Sequence, residues 1–150
     1  MKILLDADSC PRAARDLIQR RASKLGIRVI FAANRPIPDS ENAEMVLCPT
    51  IDNSADDRIV ELAEKGDIVI TRDVPLAKRL VENGVSVIDD RGRTFTANNI
   101  NELLSLRNFT VGLADYGLGI ERIANYGKKE LKTFADSLDR FLTRNTRNNK

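Results

Sequence analysis

Three apolar residues, Ile3-Leu4-Leu5, run into Asp6-Ala7-Asp8-Ser9-Cys10 and then Pro11, and this stretch constrains the fold more than any other. An unbroken apolar run of this length is the pattern of a buried central strand, and a proline opening an amphipathic segment is the pattern of a helix start. In open α/β sheets ligands bind where strands end and helices begin, which puts Asp6 and Asp8 at the mouth of a crevice.

The remaining chain repeats this alternation. Ala14, Leu17, Ile18 and Leu25 mark one face of a helix from about Pro11 to Leu25, closed by Gly26. Arg21 falls inside that apolar arc, so its stem should be covered and its guanidinium should reach a carboxylate or a carbonyl. Ile27 to Ala33 is a second strand, joined to the first by a right-handed parallel crossover. A Pro-containing loop leads to a short strand, Met45 to Cys48, and Ser54 with Asp57 forms a capping-box pattern for a helix ending at Lys65-Gly66. Asp67 to Thr71 and Val85 to Ile88 are strands around a helix carrying Leu76, Ala77, Leu80 and Val81. Thr96 can cap a helix with Ile100, Leu103 and Leu104, Asn108 to Gly127 has little period, and Leu131, Phe134, Ala135, Leu138 and Leu142 form a last helical stripe. The expected class is α/β: a single three-layer domain with a mostly parallel sheet over residues 1–144, including a C-terminal packing helix, with a frayed basic tail at 145–150.

Composition removes several chemistries. The 150 residues contain no histidine, which excludes an imidazole base, histidine metal ligands and a phosphohistidine intermediate. Two cysteines, Cys10 and Cys48, make no disulfide framework and no zinc spacing, and with no signal peptide or membrane span the expected setting is the cytoplasm. Net charge is only +2, but Arg12, Arg15, Arg20, Arg21, Lys24 and Arg28 face a single Asp16 over the same stretch. That is either a solvated helix face or a surface for phosphates, with Arg12 and Arg15 nearest the crevice.

Aspartates recur at the strand-to-helix junctions: Asp6 and Asp8, Asp56 and Asp57, and Asp73, with Asp89-Asp90 after the last strand. Each has a plain structural explanation as a helix cap, a dipole partner or a turn residue. Parallel topology, however, sends the junctions to one edge. Two carboxylates about 4 Å apart repel by roughly 4 kcal/mol at an effective dielectric of 20. Convergent carboxylates must therefore be protonated or hold a cation, and oxygen-only ligands favour Mg²⁺ or Mn²⁺. Ser9 and Thr71 hydroxyls lie at the same edge and could orient water or phosphate. Cys10 at a helix start is a weaker nucleophile candidate with no adjacent base. No Gly-rich phosphate loop is present.

Asp6-Ala7-Asp8-Ser9-Cys10-Pro11, Ala33-Asn34, Ala55-Asp56-Asp57-Arg58-Ile59-Val60, Gly66 to Ala77 with its Thr71-Arg72-Asp73-Val74-Pro75, Arg91-Gly92 and Asn99-Ile100 closely resemble the YaiI/YqxD family of uncharacterised bacterial proteins. Gly112 to Lys129 departs from that family's Gly-Gly-Pro-containing segment. The family is similar in fold to PIN-like nucleases, which carry an aspartate after the first strand, an acidic residue on a middle helix and a T-x-D motif around Mg²⁺ or Mn²⁺. Asp6, Asp57 or Asp56, and Asp73 match those places in order. The resemblance implies a metal-dependent phosphodiester hydrolase acting on nucleic acid, with RNA expected: catalytic Asp6, Asp57 and Asp73, metal ligands Asp6, Asp8, Asp56, Asp57 and Asp73, orienting Ser9 and Thr71, and phosphate contacts Arg12 and Arg15. Two alternatives stand beside it. One is a haloacid dehalogenase-type phosphatase with Asp6 as nucleophile and Asp8 as acid, followed by Thr71, Lys78 and Asp89-Asp90. The other is a non-catalytic nucleic-acid or protein-binding module.

Overall fold

The computed structural model describes residues 1–49, 54–106 and 126–148. Its strands are β1 (Lys2–Asp6), β2 (Arg28–Ala33), β3 (Glu44–Leu47), β4 (Ile68–Ile70), β5 (Ser86–Ile88) and β6 (Thr94–Phe95). Helices are α1 (Arg12–Leu25), α2 (Ser54–Leu62), α3 (Val74–Glu82), α4 (100–106) and α5 (Lys128–Asn148), and a 3-10 turn covers Ala7–Ser9. The strands form one sheet in the order β3-β2-β1-β4-β5-β6, parallel except for the β5–β6 pair. β1 therefore lies in the middle, with Leu5 opposite Phe31 on one side and Ile70 on the other.

Alternation along the strands builds two cores. Ile3, Leu5, Val29, Phe31, Ile68 and Ile70 project to the face covered by α1 and α5, meeting Leu17, Ile18, Phe134 and Leu138. Leu4, Ile30, Val69 and Val87 project to the opposite face, under Ile59, Leu76, Leu80 and Ile100. This is the expected three-layer α/β arrangement, and it explains why the strand runs are apolar without alternation.

Local chemistry sets the boundaries. Gly26 closes α1 in the left-handed conformation (φ +68°), and the Ile27 amide donates to the Ala22 carbonyl at 2.9 Å. Arg21 Nε donates to Asp139 Oδ1 of α5 at 3.0 Å, the covered arginine reaching a carboxylate as the sequence suggests. Thr96 and Asn99 cap α4 reciprocally: the Asn99 amide donates to Thr96 Oγ1 at 3.2 Å, and the Thr96 amide to Asn99 Oδ1 at 2.9 Å.

Several expectations need correction. Leu25, the last residue of α1, is 55% exposed rather than part of the buried face. α2 stops at Leu62, short of Lys65. Its capping box does not form as anticipated: the Ser54 hydroxyl donates to the Pro49 carbonyl, and Asp57 pairs elsewhere. β6 has no counterpart in the sequence reading, since a two-residue strand carries no period. The tail is not frayed from Asn145. α5 runs to Asn148, and the buried Asn145 side chain donates to the Gly66 carbonyl at 3.1 Å and to Ser86 Oγ at 3.3 Å. The irregular stretch expected from Asn108 lies outside the described residues up to 125.

Candidate functional site

Parallel strands β1, β2, β4 and β5 end on the same side of the sheet, and the loops that follow them carry the aspartates. Asp6 closes β1 between β2 and β4, and its Oδ2 accepts a hydrogen bond from Thr71 Oγ1 at 3.3 Å. Thr71 in turn accepts from the Asp73 amide at 3.0 Å, so one hydroxyl orders both aspartates. Asp73 is the N-cap of α3, with Oδ1 accepting from the Leu76 amide at 3.0 Å and Pro75 in the first turn. The cap explanation for Asp73 thus holds, and it leaves the second carboxylate oxygen for the cluster.

Electrostatics identify which carboxylates converge. Burial raises the Asp6 pKa above its ordinary value, and the charges of Asp73 and Asp8 push in the same direction. Asp56 is pushed up to about 7, first by burial and then by the Asp73 charge, a hydrogen bond with Asp73 and the Asp6 charge. Asp6, Asp56 and Asp73 therefore form one mutually repelling group. Asp57, one residue on from Asp56 and about 100° around the helix, points outward and pairs with Arg79 Nη1 at 2.9 Å. Of the two acidic residues on α2, the geometry selects Asp56.

The other expected site residues are spread out. Asp8 Oδ2 accepts from the Asn34 amide at 2.9 Å and Oδ1 lies 3.7 Å from Arg35 Nε, tying Asp8 to the end of β2. Ser9 is exposed, and its hydroxyl lies 3.5 Å from the Asp6 carbonyl. Arg12 is occupied by Asp39 at 2.8 Å, and Arg15 donates to the Cys10 carbonyl at 2.8 Å. Cys10 is buried, and burial together with the Asp90 charge pushes its thiol up to about 12, which leaves it protonated and a poor nucleophile.

Two contributors, Arg35 and Arg72, escaped the sequence reading, and the sequence suggests a third, Asp90, only as a turn residue or as part of a phosphatase site. Arg35, 73% exposed in its side chain, stands at the β2 junction, where the strand-end rule applied to Ala33-Asn34 would have pointed to it. Arg72 sets both Nε and Nη2 at 2.6 Å from Asp90 Oδ2. Asp90 is 2% exposed, and its Oδ1 has no hydrogen-bond partner among the described residues. Asp89, by contrast, is a turn residue whose Oδ1 accepts from the amides of Arg91 and Arg93.

Comparison with known proteins now decides the family. The sequence profile of an uncharacterised bacterial family, YaiI/YqxD, matches residues 4–144. The chain belongs to the YaiI/YqxD family. Similar relatives, each described as a UPF0178 protein, include one from Treponema denticola, 46% identical over 96% of this chain and 93% of the relative. One from Treponema pallidum is 46% identical over 93% of this chain and 80% of its own length, and one from Ectopseudomonas mendocina is 41% identical over 98% and 100%. No solved structure matches. Membership of the YaiI/YqxD family assigns no activity to Asp6, Asp56 or Asp73.

Whether a hard cation suits the cluster can be judged from the donors. Asp6, Asp56 and Asp73 offer only oxygen, and the raised protonation of Asp6 and Asp56 is the state that a divalent ion would relieve. Among the described residues no three acidic or thiol side chains form a ready-made metal cage, so binding requires side-chain rotation. No helix of the described residues is long and apolar enough to cross a membrane. Asp57→Ala is expected to change stability by less than about 1 kcal/mol, because its pair with Arg79 is exposed. Equilibrium denaturation of the two proteins at pH 7 measures this.

Proposed function

We propose that this protein is a phosphodiester hydrolase dependent on Mg²⁺ or Mn²⁺ and acting on RNA, with Asp6, Asp56 and Asp73 holding the ion. The observation that carries this reading is the acidic edge itself, where Thr71 Oγ1 is bonded to both Asp6 Oδ2 and the Asp73 amide and Asp56 is bonded to Asp73. Asp73 serves the fold as the cap of α3, but nothing structural requires Asp6 and Asp56 beside it, and a bound cation offsets the cost of their repulsion. When bound, such an ion activates water and neutralises charge on a phosphoryl oxygen.

The chain's own residues divide the remaining work. Thr71 fixes the Asp6 carboxylate and the Asp73 backbone through one hydroxyl. Asp8, held by the Asn34 amide, is placed to orient a water without entering the cluster. Arg35 is better placed than Arg12 or Arg15 to meet a substrate phosphate, being exposed and held only loosely by Asp8. A phosphatase using Asp6 as nucleophile has less support, because Asp8, the acid it requires, is engaged by the Asn34 amide and by Arg35.

Metal dependence has a signature in stability. Because the Asp56 pKa is raised in the folded state, the native protein keeps that proton while the unfolded chain loses it, so stability falls as pH rises from about 4 to 7. Thermal denaturation across pH 4–8 should show a steeper fall in wild type than in Asp56→Asn, which keeps only the smaller contribution of Asp6, and millimolar Mn²⁺ at pH 7.5 should reverse it. Equal pH profiles for the two proteins, with no response to Mn²⁺, would remove the basis of the proposal.

A further inference from the structure

Past Ile70 the chain leaves β4, and Thr71-Arg72-Asp73 carries the acidic edge into α3. The Thr71 amide ties this junction back to β5 by donating to the Ile88 carbonyl at 3.1 Å. Arg72 supplies a second hold. Its Nε and Nη2 both lie 2.6 Å from Asp90 Oδ2, so the residue between Thr71 and Asp73 is tied across to the turn after β5. That turn is itself anchored. Ser137 Oγ of α5 donates to the Gly92 carbonyl at 2.8 Å, and the Tyr126 hydroxyl donates to the Asp90 carbonyl at 2.6 Å. A continuous line of contacts thus runs from α5 through Asp90 and Arg72 to the hydroxyl that orders Asp6 and Asp73.

The pair is poorly arranged for stability. Both nitrogens of Arg72 meet one oxygen of a buried carboxylate, and Oδ1 has no hydrogen-bond partner among the described residues. Desolvating Asp90 on those terms offsets much of what its ion pair contributes. What the pair does provide is a fixed position for the backbone on either side of Arg72. Resting on the reading of this edge as a divalent-cation site, we propose that Asp90 is a positioning residue, which acts through Arg72 to hold the Thr71–Asp73 backbone against Asp6. Without an ion the charges of Asp6, Asp56 and Asp73 oppose one another. Side-chain rotation can gather these carboxylates around a cation only if the backbone carrying Asp73 does not give way. A group that holds metal ligands in place from outside the coordination sphere raises affinity in this manner, without touching the ion.

The test uses the full chain and Mn²⁺ alone, with binding measured by isothermal titration calorimetry and stability measured separately by urea denaturation in EDTA. Asp90→Ala should weaken Mn²⁺ binding by roughly 10- to 100-fold, the range for groups that orient metal ligands from outside. It strands no charge, because the side chain of the freed Arg72 is 47% exposed. Arg72→Lys should retain most of the wild-type affinity, since one ammonium can replace two nitrogens that meet a single oxygen. Asp90→Asn combined with Arg72→Met removes both charges at similar volume and should show the same loss as Asp90→Ala rather than a larger one. This double variant decides the question if Asp90→Ala does not fold. Wild-type affinity in Asp90→Ala or in the double variant, whatever happens to stability in EDTA, overturns the positioning role and leaves the hydrolase reading standing. A loss in Arg72→Lys as large as in Asp90→Ala overturns it too, because the tether to Oδ2 would then not be what matters. Wild type that takes up no Mn²⁺ overturns both.

Discussion

Asp6→Asn is expected to abolish Mn²⁺-dependent cleavage, by at least about 10³-fold, while leaving the protein as stable as wild type or more so at pH 7. The two halves of this expectation come from one environment. Burial and the Asp73 and Asp8 charges hold the Asp6 pKa above its ordinary value, so ionised Asp6 destabilises the fold. Asparagine keeps an oxygen to accept from Thr71 and removes the charge. An aspartate kept only for structure would behave in the opposite way, losing stability on neutralisation. Cleavage assays with labelled RNA beside urea denaturation at pH 7 separate the cases, and a variant that cleaves at the wild-type rate would sink the hydrolase reading.

Gly92→Ala is expected to cost about 2–4 kcal/mol, a large loss for a single added methyl group. Gly92 has φ +88°, and a Cβ there would lie 2.6 Å from the Thr133 carbonyl oxygen and 2.9 Å from Ser137 Oγ. The Gly92 carbonyl meanwhile accepts from Ser137 Oγ at 2.8 Å, so the turn cannot withdraw without losing that bond. Because Asp90 lies in the same turn and holds Arg72, the damage should spread to the Thr71-Arg72-Asp73 junction. Chemical denaturation gives the magnitude. A loss under about 0.5 kcal/mol would mean that α5 grips the turn far less tightly than these contacts require.

Much of this architecture was legible in the sequence because the sheet is covered on both faces. Apolar runs such as Ile3-Leu4-Leu5 and Ile68-Val69-Ile70 mark strands, and glycines such as Gly26 mark helix ends. The position of the acidic edge was legible for the same reason, since parallel strands leave little choice about where Asp6 and Asp73 go. What could not be read was direction around a helix of uncertain start. Asp56 and Asp57 are adjacent letters, and only the docking of Ile59 into the core turns one inward and the other toward Arg79. Partners set by long-range packing were equally hidden: Asp139 for Arg21, Gly66 and Ser86 for Asn145, and Arg72 for Asp90.

The central place of β1 bears on how the chain is assembled during translation. Its β2 side can zip up once residue 33 has left the ribosome, but its other side waits for Ile68–Ile70, which pair with Ile3–Leu5. Throughout that interval the nascent sheet presents an open edge of unpaired backbone N–H and C=O groups on a strand whose side chains are apolar, the arrangement most apt to recruit a neighbouring polypeptide. Trigger-type chaperones that shield such borders should raise the soluble yield of this protein more than that of an α/β domain whose first strand lies at the rim.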